Sequence, residues 1–171
     1  MAYARDNAAL LGIDASRISA GGDSSGGNLA LAVALSDECR GALESLVLIY
    51  PVTKAFADGS ESWRKYGYGL DADLMEAFNR AYLGGTDSEN HAVSVGLCSG
   101  EQLRRLPRTL LVAAGRDILR DQGCELAEKS GGRIERVEFP DAVHLFITVP
   151  GQDEAFRKAV DLTYEFITQK Q

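Results

Sequence analysis

The stretch from Ser19 to Ala30, Ser-Ala-Gly-Gly-Asp-Ser-Ser-Gly-Gly-Asn-Leu-Ala, constrains this chain more than any other. Within it, Gly22-x-Ser24-x-Gly26 has the spacing of a nucleophile elbow. There a serine occupies a tight strand-to-helix turn and its hydroxyl is pushed into the open. The flanks fit that geometry. Arg17-Ile18-Ser19-Ala20 reads as a short buried strand, and Leu29 to Leu35 is a helix-favouring run that is apolar all round. The glycines have an expected reason: a Cβ two positions from the serine, on either side, would collide across the turn.

Around the elbow, strands and helices alternate. Strands are expected at 17–21, 45–50, 108–114 and 133–139. Leu46-Val47-Leu48-Ile49-Tyr50 and Thr109 to Ala114 are continuous apolar runs, as in strands covered on both faces. Ile134 to Phe139 mixes apolar and charged positions like an edge strand, and Pro140 is expected to end it. Helices are expected at 2–11, 25–36, 71–83, 118–130 and 154–168, with a single turn at 101–106. In the last helix, Phe156, Ala159, Val160, Thr163, Phe166 and Ile167 share one face. The long loop from Thr53 to Leu70 carries Phe56, Trp63, Tyr66 and Tyr68, which either cover the core or line a substrate pocket. The fold class is therefore α/β, a mostly parallel sheet flanked by helices, in one domain spanning 1–171.

A serine hydroxyl is a poor nucleophile without a base beside it. Histidine suits the task, and the chain has two, His91 and His144. His144 follows the last strand, at the sheet edge where the other strands deliver their loops. His91 lies in an irregular polar stretch and reads as a solvated side chain. The acid that orients the base should leave a strand at the same edge, as Asp117 does. Asp121 competes, but its place in the following helix suits a dipole partner. Ser24, Asp117 and His144 then follow one another in the chain as nucleophile, orienting acid and base, each from a separate loop.

Gly22-Asp23-Ser24-Ser25-Gly26-Gly27-Asn28-Leu29-Ala30 resembles the Gly-Asp-Ser-Ala-Gly-Gly-Asn-Leu-Ala signature of the hormone-sensitive-lipase branch of α/β-hydrolase esterases. Ala114 to Asp121 is similar to that branch's Asp-Pro-Leu-Arg-Asp block, with Ile118 in place of proline. Phe139 to Phe146 is similar to its His-Gly-Phe block, with Leu145 in place of glycine. The resemblance implies a serine carboxylesterase acting on short-chain acyl esters, with Ser24 as nucleophile, His144 as base and Asp117 as orienting acid. It implies no metal or organic cofactor. It also implies an upstream portion with further strands, a cap and a His-Gly-Gly-Gly loop. No Gly-Gly pair here follows histidine, so the N–H of Ser25 is the candidate oxyanion donor and the fold is expected to be truncated. Truncation would leave the first strand as an apolar sheet edge, so a cover is expected: a second copy of the chain in a homo-oligomer, a rearranged N-terminus, or a separately encoded or removed upstream half.

Composition excludes several other classes. A formal charge of -7 disfavours a phosphate-binding surface, so nucleic acid is not an expected partner. No apolar run reaches the roughly 18 residues of a membrane span, and no basic-then-apolar leader opens the chain. A cytoplasmic protein is expected. Cys39, Cys98 and Cys124 are widely spaced and read as reduced, structurally neutral thiols. Two other functions remain open: a non-catalytic ligand-binding or self-associating module on the same frame, and a peptidase or thioesterase. Asp23, before the nucleophile, favours the esterase over the latter.

Overall fold

The computed structural model describes residues 1–169. Its centre is a four-stranded parallel sheet in the order β1-β2-β3-β4, formed by Ser19–Asp23, Ser45–Ile49, Arg108–Arg116 and Ile134–Val143. Eight α-helices accompany it among the described residues: α1 Ala2–Asp6, α2 Ala8–Leu11, α3 Ser25–Leu35, α4 Glu61–Lys65, α5 Ala72–Leu83, α6 Gly100–Leu103, α7 Arg120–Lys129 and α8 Asp153–Thr168.

The apolar strand runs divide by parity, as a pleated strand requires. Leu46, Leu48, Leu111 and Ala113 point to one face, where Ala30, Leu31 and Ala34 of α3 and Leu126 of α7 cover them. Val47, Leu110, Val112 and Ala114 point to the other, against Ala159 and Phe166 of α8 and against Phe146. Burying both faces is what lets these strands be apolar at every position. A third cluster, Val52, Trp63, Leu70, Met75, Ile118 and Leu119, lies beneath the 53–70 loop and α5.

Several expectations shift. The expected helix over 2–11 breaks at Asn7 into α1 and α2, neither of which buries a residue. Without a buried face, so short a helix has little to sustain it. The first strand runs over Ser19–Asp23 rather than 17–21, because its backbone pairs residue for residue with Ser45–Ile49. β4 does not stop at Pro140 but continues to Val143. Pairing jumps from Ala114–Phe139 to Arg116–Val143, so the proline falls inside an irregularity where its missing N–H interrupts no regular ladder. The inward stripe of α8 is Ala159 and Phe166, buried, with Ala155 and Leu162 half-buried, whereas Phe156, Val160 and Ile167 are exposed. In the 53–70 loop, Trp63 and Tyr66 pack on the third cluster and Tyr68 faces solvent. None of the described helices is long and apolar enough to cross a membrane.

Candidate active site

β1 ends at Asp23, and Ser24 makes the turn into α3. Its φ of 49° lies in the left-handed region that a side chain normally avoids. The turn is tied to the neighbouring strand: Ser24 N–H donates to the Ile49 carbonyl at 2.9 Å, and Val52 N–H donates to the Ser24 carbonyl at 3.1 Å. Close approach explains two glycines. A Cβ on Gly22 would fall on the backbone of Gly26 and Gly27, and one on Gly27 would come within 2.8 Å of the Pro51 ring. Gly26 corrects the sequence-based expectation. A Cβ there would meet nothing nearer than the Asp23 carboxylate at 3.9 Å, so the crowding lies at Gly22 and Gly27.

The structure brings Ser24, His144 and Asp117 together. Ser24 Oγ lies 3.0 Å from His144 Nε2, and His144 Nδ1 lies 2.7 Å from Asp117 Oδ2. A carboxylate can only accept, so Nδ1 carries the proton and Nε2 is left to accept from the serine hydroxyl. The second Asp117 oxygen accepts from Leu119 N–H at 2.9 Å, which fixes the carboxylate plane. Asp117 and His144 are both 2% exposed, while Ser24 is half-buried, so the relay runs from the interior to an accessible hydroxyl.

Each group reaches the rim by a different route. Asp117 follows directly on β3, and His144 directly on β4, which is extended by the irregularity at Pro140. The other candidates stand apart. Asp121, in the first turn of α7, accepts from Ser62 N–H at 2.9 Å and so anchors α4. His91 is exposed in a turn. Ser25 opens α3, so its N–H is among the first-turn donors that have no intrahelical acceptor.

Tyr50 is the site residue that sequence reading missed. Its ring lies 4.7 Å from the His144 ring and 5.1 Å from that of Phe146, and its hydroxyl donates a long bond of 3.4 Å to Asp23. Burial, then the charge of Asp23, pushes the Tyr50 hydroxyl well above its ordinary pKa, so it stays protonated and neutral. Among the described residues, the non-glycines with positive φ are Ser24, Tyr50 at 36° and Leu145 at 62°. All three belong to this site, which concentrates the backbone strain of the fold. The Leu145 value explains why glycine would suit the position after the histidine. Tyr50 could have been found from its place before Pro51, where β2 reaches the same rim as the other strands.

No group of three or more His, Cys, Asp or Glu side chains among the described residues is placed to hold a metal ion. As it stands, the relay can pass the serine proton to an imidazole whose far side is pinned by a carboxylate.

Comparison with known proteins places the fold in a family. Residues 1–148 match the model of a family described as having the alpha/beta hydrolase fold. A carboxylesterase of Mycobacterium tuberculosis is 34% identical over 167 residues, covering 88% of this chain and 51% of the relative. An ethyl acetate hydrolase of Pseudomonas putida is 31% identical over 172 residues, covering 96% of this chain and 54% of the relative. The chain thus spans about half the length of the curated relatives it matches. Among solved structures, a thermophilic carboxylesterase cloned from a metagenomic library superposes with a TM-score of 0.83 at 33% identity, over 98% of this chain and 60% of that one. Carboxyl esterase 2 of the fungus Tuber melanosporum gives 0.85 at 26%, over 96% and 58%.

Proposed function

Because the chain belongs to the α/β-hydrolase fold family, we propose that it is a serine carboxylesterase, or the nucleophile-bearing portion of one, acting on short-chain acyl esters. The carrying observation is the Ser24–His144–Asp117 relay, with links of 3.0 and 2.7 Å and a strained nucleophile. Ser24 Oγ attacks the ester carbonyl while His144 Nε2 takes its proton. The C–O bond to the alcohol then breaks, and the imidazolium returns the proton to the departing alkoxide. Water repeats the sequence on the acyl-serine, releasing the acid and restoring the hydroxyl. Asp117 holds the tautomer and steadies the imidazolium through the Nδ1 bond. Ser25 N–H is the donor that the elbow offers to the tetrahedral oxygen. An oxyanion donor is worth on the order of 10²–10³ in rate. Acylation that relies on the elbow amide alone would therefore be slow, though still specific to Ser24.

The test pairs a fluorophosphonate probe with a p-nitrophenyl butyrate assay, on the native chain and on Ser24→Ala. Labelling and turnover that both vanish in the variant support the esterase. Labelling without measurable turnover supports a competent nucleophile with too little oxyanion stabilisation. A native chain that the probe does not label overturns the proposal and favours a non-catalytic binding module on the same frame.

A further inference from the structure

Tyr50 leaves the sheet at the end of β2, which lies between β1, the strand before Ser24, and β3, the strand before Asp117. Its N–H donates to the Val112 carbonyl of β3 at 2.8 Å, and Pro51 follows it. Its φ of 36° is strained for so large a side chain. Strain of that kind persists only where the surrounding contacts over-determine it, so its use is to be sought in those contacts. The side chain is 2% exposed. Its ring lies 4.7 Å from the His144 ring and 5.1 Å, edge-on, from that of Phe146. Its hydroxyl donates to Asp23, the residue before the nucleophile, at 3.4 Å. The backbone N–H of Ile147, in the turn after the base, approaches the same oxygen. One buried side chain therefore touches both the segment that carries the nucleophile and the segment that carries the base.

We propose that Tyr50 is a positioning residue that keeps the His144 imidazole in line with Ser24, its ring as a wall and its hydroxyl as a tie between the two segments. The inference rests on the esterase reading of Ser24. Asp117 alone cannot set the Ser24–His144 distance, because acid and nucleophile leave different strands with β2 between them. The 2.7 Å bond to Asp117 holds the Nδ1 edge of the imidazole, but a modest torsion of the side chain would carry Nε2 off the serine hydroxyl. A ring packed beside the imidazole opposes that tilt. The hydroxyl stays protonated, so it remains a donor to the Asp23 carboxylate and holds the wall in place. A misplacement of about 1 Å at a reacting centre costs on the order of 10² in rate, so such a wall matters more to chemistry than to folding.

The experiment measures saturable fluorophosphonate labelling and the melting temperature of the native chain, Tyr50→Leu, Tyr50→Phe and Phe166→Leu. Phe166 belongs to the same apolar cluster but comes from α8, so its variant reads what losing a ring there does to the fold. Tyr50→Leu loses wall and tie and should label on the order of 10²-fold more slowly. Tyr50→Phe keeps the wall and should fall between, about three- to tenfold below the native rate. Both losses should appear in the maximal rate rather than in the probe concentration that gives half of it. Phe166→Leu should lose stability and label at the native rate. A Tyr50→Phe variant that labels like the native chain removes the tie, and a Tyr50→Leu variant no slower than Tyr50→Phe removes the wall. Either overturns the inference. So does a loss in Tyr50→Leu that Phe166→Leu matches, since the ring would then only pack.

A second measurement needs no reactive serine. The Nδ1 proton of His144, which Asp117 holds, is followed by NMR in the native chain and in both Tyr50 variants. Its low-field line should be sharp in the native chain and should broaden in Tyr50→Phe and further in Tyr50→Leu. The same line in the native chain and in every variant that folds overturns the inference. If the native chain is not labelled at all, the esterase reading fails on its own, and this line still decides whether Tyr50 holds the imidazole.

Discussion

The two flanks of the sheet are built differently, and the site draws on both. On one side, β3 and β4 are 9 and 10 residues long, and β3 has an unbroken buried run from Thr109 to Gly115. On the other, β1 has five residues, Ser-Ala-Gly-Gly-Asp, none of them fully buried. Leu29 and Val33 of the adjoining α3 are 53% and 39% exposed. The acid therefore hangs from a strand anchored in the core, and the base from a long strand paired along it. The serine hangs from a thin strand, and its position is set by backbone bonds to β2 and by glycine contacts. One flank fixes its residues by packing, the other by turn geometry. The two should fail in different ways.

The largest effect expected is on the packed flank. On the esterase reading, Asp117→Asn keeps the shape of the side chain but removes the acceptor that holds Nδ1 protonated. Such a change costs roughly 10⁴ in kcat when the relay works as proposed. Steady-state kinetics beside circular dichroism check it. A folded variant that retains more than a tenth of the activity would show that the carboxylate does not orient the base.

Two glycines sharpen the contrast. A Cβ at Gly115 would come within 2.6 Å of the Pro140 backbone, deep between β3 and β4, and one at Gly22 would come within 2.8 Å of the Gly27 amide nitrogen. Gly115→Ala should cost about 1–3 kcal/mol, read as a lowered melting temperature, because buried strands have nowhere to go. Gly22→Ala should do more harm to the site than to the fold. Moving the elbow by about 1 Å is expected to cut the rate of fluorophosphonate labelling on the order of 10²-fold. If both variants lose stability and labelling in the same proportion, the flanks are not distinct.

The same division governs what could be read before the structure. Apolar runs such as Leu46–Tyr50 and Thr109–Ala114 announce buried strands, because the core supplies their cause. Ser24, Asp117 and His144 could be named because each stands just beyond a strand end. The extension of β4 past Pro140 could not be read, since an irregularity against β3 is a property of pairing between strands. Tyr50 was legible only through its place at the end of β2; its ring contact with His144, across 94 residues of sequence between positions 50 and 144, was not. The crowding at Gly22 and Gly27 rather than Gly26 was equally hidden, because it is set by which backbone atoms approach after the turn closes.

Leu145 gives a smaller effect. Its φ of 62° carries strain of about 1 kcal/mol or more, and its side chain packs partly on the second cluster. Leu145→Gly relieves the first and gives up the second, so stability should change by less than about 1 kcal/mol in urea unfolding. A loss above about 2 kcal/mol would mean that packing dominates at this position.

The smallest effect expected belongs to the charges on the outer edge of β4. Burial pushes the Glu138 carboxyl up, but bonds from Arg136 and Arg120, the latter at 3.0 Å, outweigh it and hold the pKa below the usual 4.5. A depressed carboxyl pKa contributes stability that is fully present above 4.5 and is lost as the pH falls below that value through the folded pKa. The side chain is 23% exposed, so solvent screens the cluster and the contribution is about 0.5–1 kcal/mol. Glu138→Gln should therefore lower stability by that amount at neutral pH and by less at about pH 3, below the 4.5 of the unfolded chain, where part of the contribution has been lost. Urea unfolding at the two pH values measures the difference. Equal losses at both would mean that the side chain acts through packing, and that even the outer edge of this flank is held by contact rather than charge.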